Sequence, residues 1–437
     1  MMELSRFNII SAINDSDEFF VLNPLYGSAD ILSRLEHDLL VRAEDPSGVF
    51  AGRGYLVDRK TEKTLFTEAY LKFLDDRETD EIQLFFVPAY TCNFDCSYCY
   101  QIGYDSPSGE DYRKVIDAFF RYSDSEFAGR RKYITLFGGE PLLPGKRHRE
   151  TIEYFIDRST ERGTDIAVVT NGFHVDEYLN VFRRAQIREI QVTLDGTREV
   201  HDSRRRLRNG EGTFDRIVRN VDMLLENNIP VNLRMVVDRE NIGNLPDLAR
   251  FAINRGWTSS GIFSTQLGRN YELHECQLKR NRLFSRIDLH SELYRIIRDH
   301  PHVLDFHRPA FSVSRALHEN GKLPAPLFDA CPGTKTEWAF DYTGKIYACT
   351  ATVGKPGEEL GSFFPERVID MEKVEEWSER DILSVEKCRE CEAALICGGG
   401  CAAVAKNKGG SLHGPDCRPV KELLELGISA YFDKAGS

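Results

Sequence analysis

Short apolar segments alternate with helical periodicities between residues 81 and 267 of the chain. The first apolar segment, EIQLFFVP at 81–88, is rich in Ile, Leu, Phe and Val and ends at a proline, as a buried strand does. The predicted strands are 81–88, 134–137, 166–170, 190–194, 231–237 and 260–267, and the predicted helices are 110–126, 147–162, 176–185, 213–228 and 244–255. Strands and helices that alternate in this way predict a parallel sheet or barrel with right-handed crossovers.

The loop after the first predicted strand carries three cysteines, Cys92, Cys96 and Cys99, spaced C-x3-C-x2-C. In such folds the loops at the carboxyl ends of the strands hold the chemistry. An electron-transfer [4Fe–4S] cluster takes four cysteines, and the next cysteine along the chain is Cys276. The loop therefore predicts a cluster with one iron open to a non-protein ligand. The alternatives are a partial zinc site, although structural zinc needs four ligands, and disulfide-forming thiols.

The loops after the next three predicted strands carry Gly-Gly-Glu-Pro at 138–141, Thr-Asn-Gly at 170–172 and Asp-Gly at 195–196. Two glycines let the backbone approach a ligand closely, and Glu140 could balance a cationic amino group. The alternative for each of these segments is a simple turn, because Gly-Gly, Asn-Gly and Asp-Gly are common turn pairs.

The cysteine loop, with Tyr98 before its last cysteine, and the Gly-Gly-Glu-Pro segment together resemble the radical S-adenosylmethionine enzymes over roughly residues 81–310. The resemblance implies a partial (β/α)6 barrel and a [4Fe–4S] cluster whose open iron is chelated by the amino and carboxylate groups of S-adenosylmethionine. It implies that one electron cleaves the sulfonium to release a 5′-deoxyadenosyl radical, while the protein supplies orientation and shielding. The cluster ligands and catalytic residues would then be Cys92, Cys96 and Cys99.

The same resemblance implies a set of contacts to the cofactor. Arg205 ends a D-G-x4-H-D-x2-R pattern that begins at Asp195, and it is similar to an arginine that contacts the cofactor's carboxylate. A guanidinium suits a carboxylate, although a solvated basic run at 204–206 is the alternative. The predicted cofactor-binding residues are Tyr98, Gly138, Gly139, Glu140, Pro141, Thr170, Asn171, Asp195 and Arg205.

Seven further cysteines lie between residues 331 and 417, separated by Gly, Pro and polar residues. Dense sulfur in a loop-rich segment indicates that metal supplies part of the folding energy. Zinc is the plain alternative, since C-x2-C pairs bind it, and an odd count argues against a disulfide framework. The seven are Cys331, Cys349, Cys388, Cys391, Cys397, Cys401 and Cys417.

This spacing resembles the SPASM extension of radical S-adenosylmethionine enzymes, which implies two auxiliary [4Fe–4S] clusters and three clusters in all. The implied ligands are Cys331, Cys349 and Cys401 for the first auxiliary cluster, and Cys388, Cys391, Cys397 and Cys417 for the second. Some relatives have an eighth cysteine a few residues before the equivalent of Cys331, but 323–330 contains none. The first auxiliary cluster therefore has an open iron, a distant ligand such as Cys276, or a ligand other than cysteine.

The first 80 residues contain no cysteine and are predicted to form a small α+β module. The apolar pattern predicts strands at 7–10 and 19–22 and helices at 29–43 and 66–75. This module is either a winged-helix unit that binds a leader peptide or a structural cap on the barrel. The predicted domains are 1–80, the barrel at 81–310 and the SPASM domain at 311–437, with a proline-rich linker at 300–330.

Composition excludes some partners. The 57 Lys and Arg against 69 Asp and Glu give a net charge of −12, which disfavours nucleic acid. No apolar run approaches the ~20 residues of a membrane span, and the first six residues do not form a signal peptide. The eleven cysteines then suit a reducing cytoplasm, the predicted location.

SPASM relatives mostly modify peptides or proteins, so the leading hypothesis is maturation of a ribosomally made peptide. The radical would abstract a substrate hydrogen and the auxiliary clusters would accept the remaining electron, giving a crosslink or an oxidised residue. The expected partners are a peptide or protein substrate, with or without a leader peptide, and a reductant such as flavodoxin or ferredoxin.

Three other functions remain open at this stage. One is that of the anaerobic sulfatase-maturing enzymes, where an acid typically follows the equivalent of Cys349. The residue here is Thr350, which disfavours that function. The others are a small-molecule dehydrogenase built on the same parts and an electron-transfer protein without catalysis.

Overall fold

The structure is a computed structural model, and it describes residues 2–14, 16–101, 104, 111–269 and 281–432. The N-terminal module contains a three-stranded antiparallel sheet in the order β2-β3-β4, and a separate pair formed by β1 and β5. Its elements are β1 Glu3–Leu4, β2 Ile9–Ala12, β3 Phe19–Asn23, β4 Ser28–Leu32, α1 Arg34–Val41, α2 Val49–Gly52, β5 Leu56–Val57 and α3 Arg59–Thr79.

The helix predicted over 29–43 is wrong in its first part, because Ser28–Leu32 is strand β4. Ser33 sets the boundary: its side chain accepts from the backbone N–H of Glu36, and the Glu36 carboxylate accepts from the backbone N–H of Ser33. This capping box starts α1 only at Arg34. The helix predicted at 66–75 is confirmed as part of α3.

The predicted α/β class is confirmed in the middle of the chain. Six strands, β6, β8, β9, β10, β12 and β13, run parallel and lie side by side in sequence order, with helices between them. This is the strand order of the predicted partial (β/α)6 barrel. The elements are β6 Ile82–Val87, β7 Phe94–Cys96, α4 Tyr112–Glu126, β8 Lys132–Leu136, α5 Lys146–Thr160, β9 Asp165–Thr170, α6 Leu179–Phe182, β10 Ile187–Thr193, α7 Arg198–Arg204, β11 Arg205–Leu207, α8 Phe214–Glu226, β12 Val231–Val237, α9 Leu245–Asn254 and β13 Phe263–Arg269.

The C-terminal region continues the same sheet. Strand β14 pairs in parallel with β6, and β15, β16 and β17 follow as antiparallel strands, so that ten strands form one sheet. The remaining elements are α10 Arg286–Asp299, α11 Val303–Phe306, α12 Ser314–Asn320, β14 Glu337–Asp341, β15 Lys345–Tyr347, β16 Gly361–Ser362, β17 Val368–Ile369, α13 Met371–Ser378, α14 Glu386–Arg389, α15 Ala394–Cys397, α16 Ala402–Gly409 and α17 Val420–Phe432.

The proline-rich segment 300–330, predicted as a linker, is instead packed into the protein. It holds α11 and α12 and fully buries the rings of Phe311 and Phe328. Phe328 contacts Phe66, Tyr70 and Phe73 of α3, so this segment joins the N-terminal module to the C-terminal region.

Candidate active site

The three cysteines of the first motif lie around one cavity at the carboxyl edge of the parallel sheet. Cys92, Cys96 and Cys99 line this cavity, whose volume is about 230 Å³. Burial raises the pKa of the Cys92 thiol to about 12, with the charge of Glu140 adding to the rise. Burial likewise raises the pKa of Cys96 to about 11. Thiols of this kind bind metal as thiolates, so a metal site here would have to displace their protons.

A two-stranded ribbon holds the cysteine loop in place. Strand β7 pairs antiparallel with β11, and this pairing sets Cys96 opposite Arg205. The backbone N–H of Ser97 donates to the carbonyl of Arg204 over 3.0 Å. The ribbon brings together two motifs that are about a hundred residues apart in the sequence, and nothing in the sequence pattern signalled it.

The two glycines after β8 are required by close packing. A Cβ on Gly139 would lie 2.2 Å from the carbonyl oxygen of Tyr90 and 2.3 Å from that of Thr91. The backbone N–H groups of Gly139 and Glu140 donate to the carbonyls of Ala89 and Thr91. The glycines therefore let this loop lie directly on the start of the cysteine loop, and both of them line the cavity.

Glu140 is fully buried and links the loop after β8 to the end of β9. One of its carboxylate oxygens accepts from the Thr170 hydroxyl at 2.6 Å and the Leu142 N–H at 2.8 Å. The other accepts from the Asn171 N–H at 2.6 Å. Burial raises the pKa of Glu140, and these three donors oppose that rise. A carboxylate has about four acceptor positions, so these three donors leave one unused. Glu140 itself does not belong to the cavity lining, although its neighbours Gly139, Thr170 and Asn171 do.

Asn171 connects this cluster of hydrogen bonds to the cysteine loop. Its side-chain nitrogen donates to the side-chain oxygen of Asn93 over 2.8 Å and lies 3.9 Å from the Cys92 sulfur. Thr170 and Asn171 both line the cavity, whereas Pro141 does not belong to its lining.

The two arginines at the end of the Asp195–Arg205 pattern have different surroundings. Arg204 is buried and makes a bidentate ion pair with Asp238, and its Nε lies 3.3 Å from a carboxylate oxygen of Asp195. Asp195 therefore belongs to this ion-pair network and not to the cavity lining. Arg205 lines the cavity instead and donates to the Tyr98 hydroxyl over 2.7 Å. Within the described residues its Nε is buried without a hydrogen-bond partner. This free donor fits a carboxylate ligand.

Several cavity residues were not predicted from the sequence. Arg234 on β12 and Arg269 at the end of β13 add positive charge to the lining, and Tyr100 and Gln101 follow the last cysteine of the loop. The Gln101 side-chain nitrogen is buried and has no partner among the described residues. Arg269 is the last residue of β13, and that position could have indicated it. Arg234 lies in the middle of β12, where polar residues alternate with apolar ones, so no sequence pattern indicated it.

The other described cysteines fall into two sets, and all ten described cysteines are free thiols. The Cys349 thiol lies within electrostatic range of Cys331 and Cys401, and burial raises its pKa well above the usual value. The Cys388 thiol lies within range of Cys397, Cys391 and Cys417, and burial raises its pKa to about 11. These are the two sets that the SPASM resemblance implies. Cys276 lies outside the described residues.

Arg380 and Asp416 hold the loops of these two sets together. Arg380 is fully buried and donates to the carbonyls of Gly399, Gly400, Leu412 and Gly414. Asp416 accepts from the Cys401 N–H and forms an ion pair with Arg286 of α10. These side chains satisfy backbone groups that strands or helices would otherwise satisfy, and no sequence pattern indicates such a role.

The chemistry of the donors fits iron–sulfur clusters, because each set consists of soft thiolate ligands with no carboxylate or imidazole in its spacing motif. Within the described residues, no three His, Cys, Asp or Glu side chains lie close enough together to hold a single metal ion. None of the described helices is long and apolar enough to cross a membrane.

Residues 86–252 match the family model described as Radical SAM superfamily, and this part of the chain is a radical SAM domain. The resemblance to the radical S-adenosylmethionine enzymes that the first motifs indicated is confirmed. The family implies S-adenosylmethionine and a [4Fe–4S] cluster.

The curated relatives include maturation enzymes. The chain is 25% identical to the cysteine-type anaerobic sulfatase-maturating enzyme of Clostridium novyi over 37% of this chain and 44% of the relative. It is 27% identical to the sporulation killing factor maturation protein SkfB of Bacillus subtilis over 38% of each. The matched part spans between 37% and 63% of the lengths of the curated relatives.

Two solved structures share the fold. Native anSMEcpe with bound AdoMet and Cp18Cys peptide has a TM-score of 0.61 at 18% identity and covers 81% of this chain and 98% of its own. Streptococcus suis SuiB bound to precursor peptide SuiA has a TM-score of 0.56 at 14% identity and covers 96% of this chain and 99% of its own.

Proposed function

We propose that the chain is a radical S-adenosylmethionine maturase that modifies a side chain or the backbone of a peptide or protein. One observation carries the proposal. Three cysteines, Glu140 and Arg205 come from separate segments of the chain and meet at one cavity or its edge, in a radical SAM domain. A protein that only carried electrons would gain nothing from a three-cysteine site next to such a cavity.

The residues of the cavity have distinct proposed roles. The Arg205 Nε would donate to the cofactor's carboxylate, and the remaining acceptor position of Glu140 would take its amino group. Tyr98 would hold the Arg205 guanidinium in place. When bound, the cluster and S-adenosylmethionine would supply the electron and the radical precursor. Arg234 and Arg269 lie on the same cavity and would attract an anionic group of the substrate.

The auxiliary sets would hold two further [4Fe–4S] clusters, one on Cys331, Cys349 and Cys401 and one on Cys388, Cys391, Cys397 and Cys417. Their mutual electrostatic range supports this grouping. These clusters would accept the electron left on the substrate after hydrogen abstraction, and a flavodoxin or ferredoxin would reduce the first cluster.

Iron content and cofactor cleavage test the proposal together. Three cubane clusters require about twelve irons per chain. Changing Cys92, Cys96 and Cys99 together to Ala is expected to remove about four of them and to abolish 5′-deoxyadenosine formation in anaerobic, reduced protein. A triple variant that still forms 5′-deoxyadenosine would show that the active site lies elsewhere.

The N-terminal module favours a ribosomal peptide as the substrate. The match to SuiB covers 96% of this chain, so it must include most of residues 1–80. The match to anSMEcpe covers 81% and leaves about a fifth of the chain uncovered. Strand β4 pairs only with β3 among the described strands, so a peptide strand could pair with its other edge. Ile31 on β4 and Leu35 on the following helix α1 are 44% and 70% exposed.

Binding of a leader peptide tests this part directly. The probes are peptides translated from short open reading frames next to the gene, labelled and followed by fluorescence anisotropy. Ile31→Glu with Leu35→Glu is expected to weaken binding at least tenfold without changing S-adenosylmethionine cleavage. The matched control is Val368→Glu on β17, a residue that is also exposed (60%) but lies at the far end of the main sheet. Equal binding by both variants would make the module a structural cap.

Anaerobic sulfatase maturation is the second candidate, because a relative of that name matches the chain. Thr350 offers no carboxylate at the position where such enzymes typically have an acid, and this disfavours the activity. Formylglycine on a Cys- or Ser-containing sulfatase peptide after incubation would reverse the ranking. A small-molecule dehydrogenase would modify neither kind of peptide.

A further inference from the structure

Glu337 lies beside the first auxiliary cysteine set, and the sequence motifs assign it no role. It is the first residue of β14, the strand that joins the C-terminal region to β6. The inference below rests on the proposed function, because it concerns a ligand of one of the proposed clusters.

A hydrogen bond places the Glu337 side chain next to Cys349. The paired part of the β14–β15 hairpin ends at Ala339 and Tyr347, and Cys349 follows two residues after β15. The backbone N–H of Thr350, the residue after Cys349, donates to a Glu337 carboxylate oxygen over 3.2 Å. The Cys349 thiol is in fact within electrostatic range of Glu337, Cys331 and Cys401 at once. One carboxylate and two further thiols thus lie in the neighbourhood of the Cys349 thiol.

Within the described part of the chain, the Glu337 carboxylate has no counter-ion. Its side chain is only partly exposed, and it accepts a hydrogen bond from the backbone N–H of Thr350 at 3.2 Å. No Lys, Arg or His of the described residues forms an ion pair with it. A carboxylate removed from water without a cation is costly, so the position is suited to a positive charge that the protein itself does not provide.

Three buried carboxylates nearby have side-chain partners. Asp329 contacts Lys335 and lies 3.8 Å from Arg380, and Asp416 pairs with Arg286 over 2.6 Å. Asp341, on the same strand as Glu337, has no cation but accepts from two tyrosine hydroxyls. Among the described residues, Glu337 has neither a cation nor a side-chain donor, and it lies beside Cys349.

We propose that the Glu337 carboxylate is the fourth protein ligand of the first auxiliary cluster. The segment 323–330 contains no cysteine that could fill this place. Carboxylate oxygen is an established ligand class for iron, harder than thiolate. A cluster ligated by three cysteines and Glu337 has no open iron, so the substrate would not attach to it, and the cluster would exchange electrons only.

The experiment uses the full chain with Cys92, Cys96 and Cys99 changed to Ala, so that only the auxiliary clusters remain. This parent is compared anaerobically with Glu337→Gln, Glu337→Cys and the control Glu358→Gln, whose carboxylate pairs with Lys406 in the same C-terminal region. The readouts are iron per chain and the electron paramagnetic resonance and Mössbauer spectra. None of them depends on turnover.

If Glu337 is a ligand, the parent holds about eight irons, and Glu337→Gln loses about one iron per chain on mild oxidation, with the signal of a three-iron cluster. Glu337→Cys keeps about eight irons but changes the spectrum of one cluster, and Glu358→Gln matches the parent. Should Glu337→Gln prove insoluble, Glu337→Cys decides by its spectrum. Spectra and iron counts of both Glu337 variants that equal those of the parent would refute the inference. A parent without iron would instead refute the proposed auxiliary clusters themselves.

Discussion

Replacing Glu140 by Gln tests whether the hydrogen bonds of this buried carboxylate also serve the cofactor. The two carboxylate oxygens accept from Thr170, Leu142 and Asn171, so both are in use before any ligand binds. A glutamine offers one oxygen and one NH2 group. Whichever way it turns, the NH2 group faces an N–H or O–H donor, and at least one buried donor loses its acceptor.

The loss can be estimated from these contacts. A hydrogen bond to a charged group contributes about 1.5–3 kcal/mol, and we expect the free energy of unfolding to fall by about that amount. For a domain of 150–250 residues, 1 kcal/mol corresponds to a shift in Tm of about 2–4 °C, which gives a decrease of roughly 3–12 °C. Losing the contact to the cofactor's amino group should weaken S-adenosylmethionine binding by a further factor of about 10 to 150.

The assay measures both quantities on the same anaerobic preparations. Thermal unfolding without cofactor gives the stability, and cofactor titration followed by electron paramagnetic resonance of the reduced cluster gives the dissociation constant. Glu177→Gln is the control, since Glu177 is a carboxylate near the same loops that pairs with Arg149 outside the cavity. If Glu140→Gln lowers the Tm but leaves the dissociation constant unchanged, Glu140 only joins two loops and the cofactor's amino group is bound elsewhere.

Three further changes have defined outcomes. Gly139→Ala puts a Cβ within 2.3 Å of two carbonyl oxygens, so we expect a loss of about 1–3 kcal/mol and less iron in the first cluster; unchanged iron would refute the close packing. Burial lowers the pKa of His307 to about 4, so the stability that the neutral form provides is fully present above about pH 6.5 and falls by about 3 kcal/mol towards pH 4. Urea unfolding should show that His307→Gln loses less stability between pH 7 and pH 4 than the unchanged protein, by about that amount. An equal loss of stability in the two proteins would contradict this prediction. Cys388→Ser should lose iron and solubility while 5′-deoxyadenosine still forms, and zinc in place of iron would end the proposed electron-acceptor role.

The parallel strands were predictable because each is a short apolar run followed by a loop of chemically distinctive residues. The helical assignment of 29–32 failed, because the apolar positions of β4 fit a helix nearly as well until Ser33 is seen to cap α1. The linker predicted at 300–330 failed for a different reason. Prolines mark breaks in helices, but they do not show that Phe311 and Phe328 are buried between other elements.

The cysteines and the Gly-Gly-Glu-Pro segment were predictable from spacing, whereas the contacts that hold the cysteine loops in place were not. Arg380 donates hydrogen bonds to four backbone carbonyls of these loops, where no described strand pairs with them. The surroundings of Glu337 depend on a hairpin that pairs with β6. Such arrangements arise from contacts between distant parts of the chain, which local patterns do not encode.

The pairing of β14 with β6 also constrains how the protein is made. The two strands are separated by roughly 250 residues, so this contact forms late and slowly compared with the local strand–helix units of the barrel. During synthesis β6 has an unpaired edge until the C-terminal hairpin emerges, and an unpaired edge invites association with other chains. The loop that follows β6 carries Cys92, Cys96 and Cys99. A cell that loads iron into this loop before synthesis ends would therefore do so on an unfinished sheet, and a chain shortened before residue 337 would leave the same edge exposed permanently.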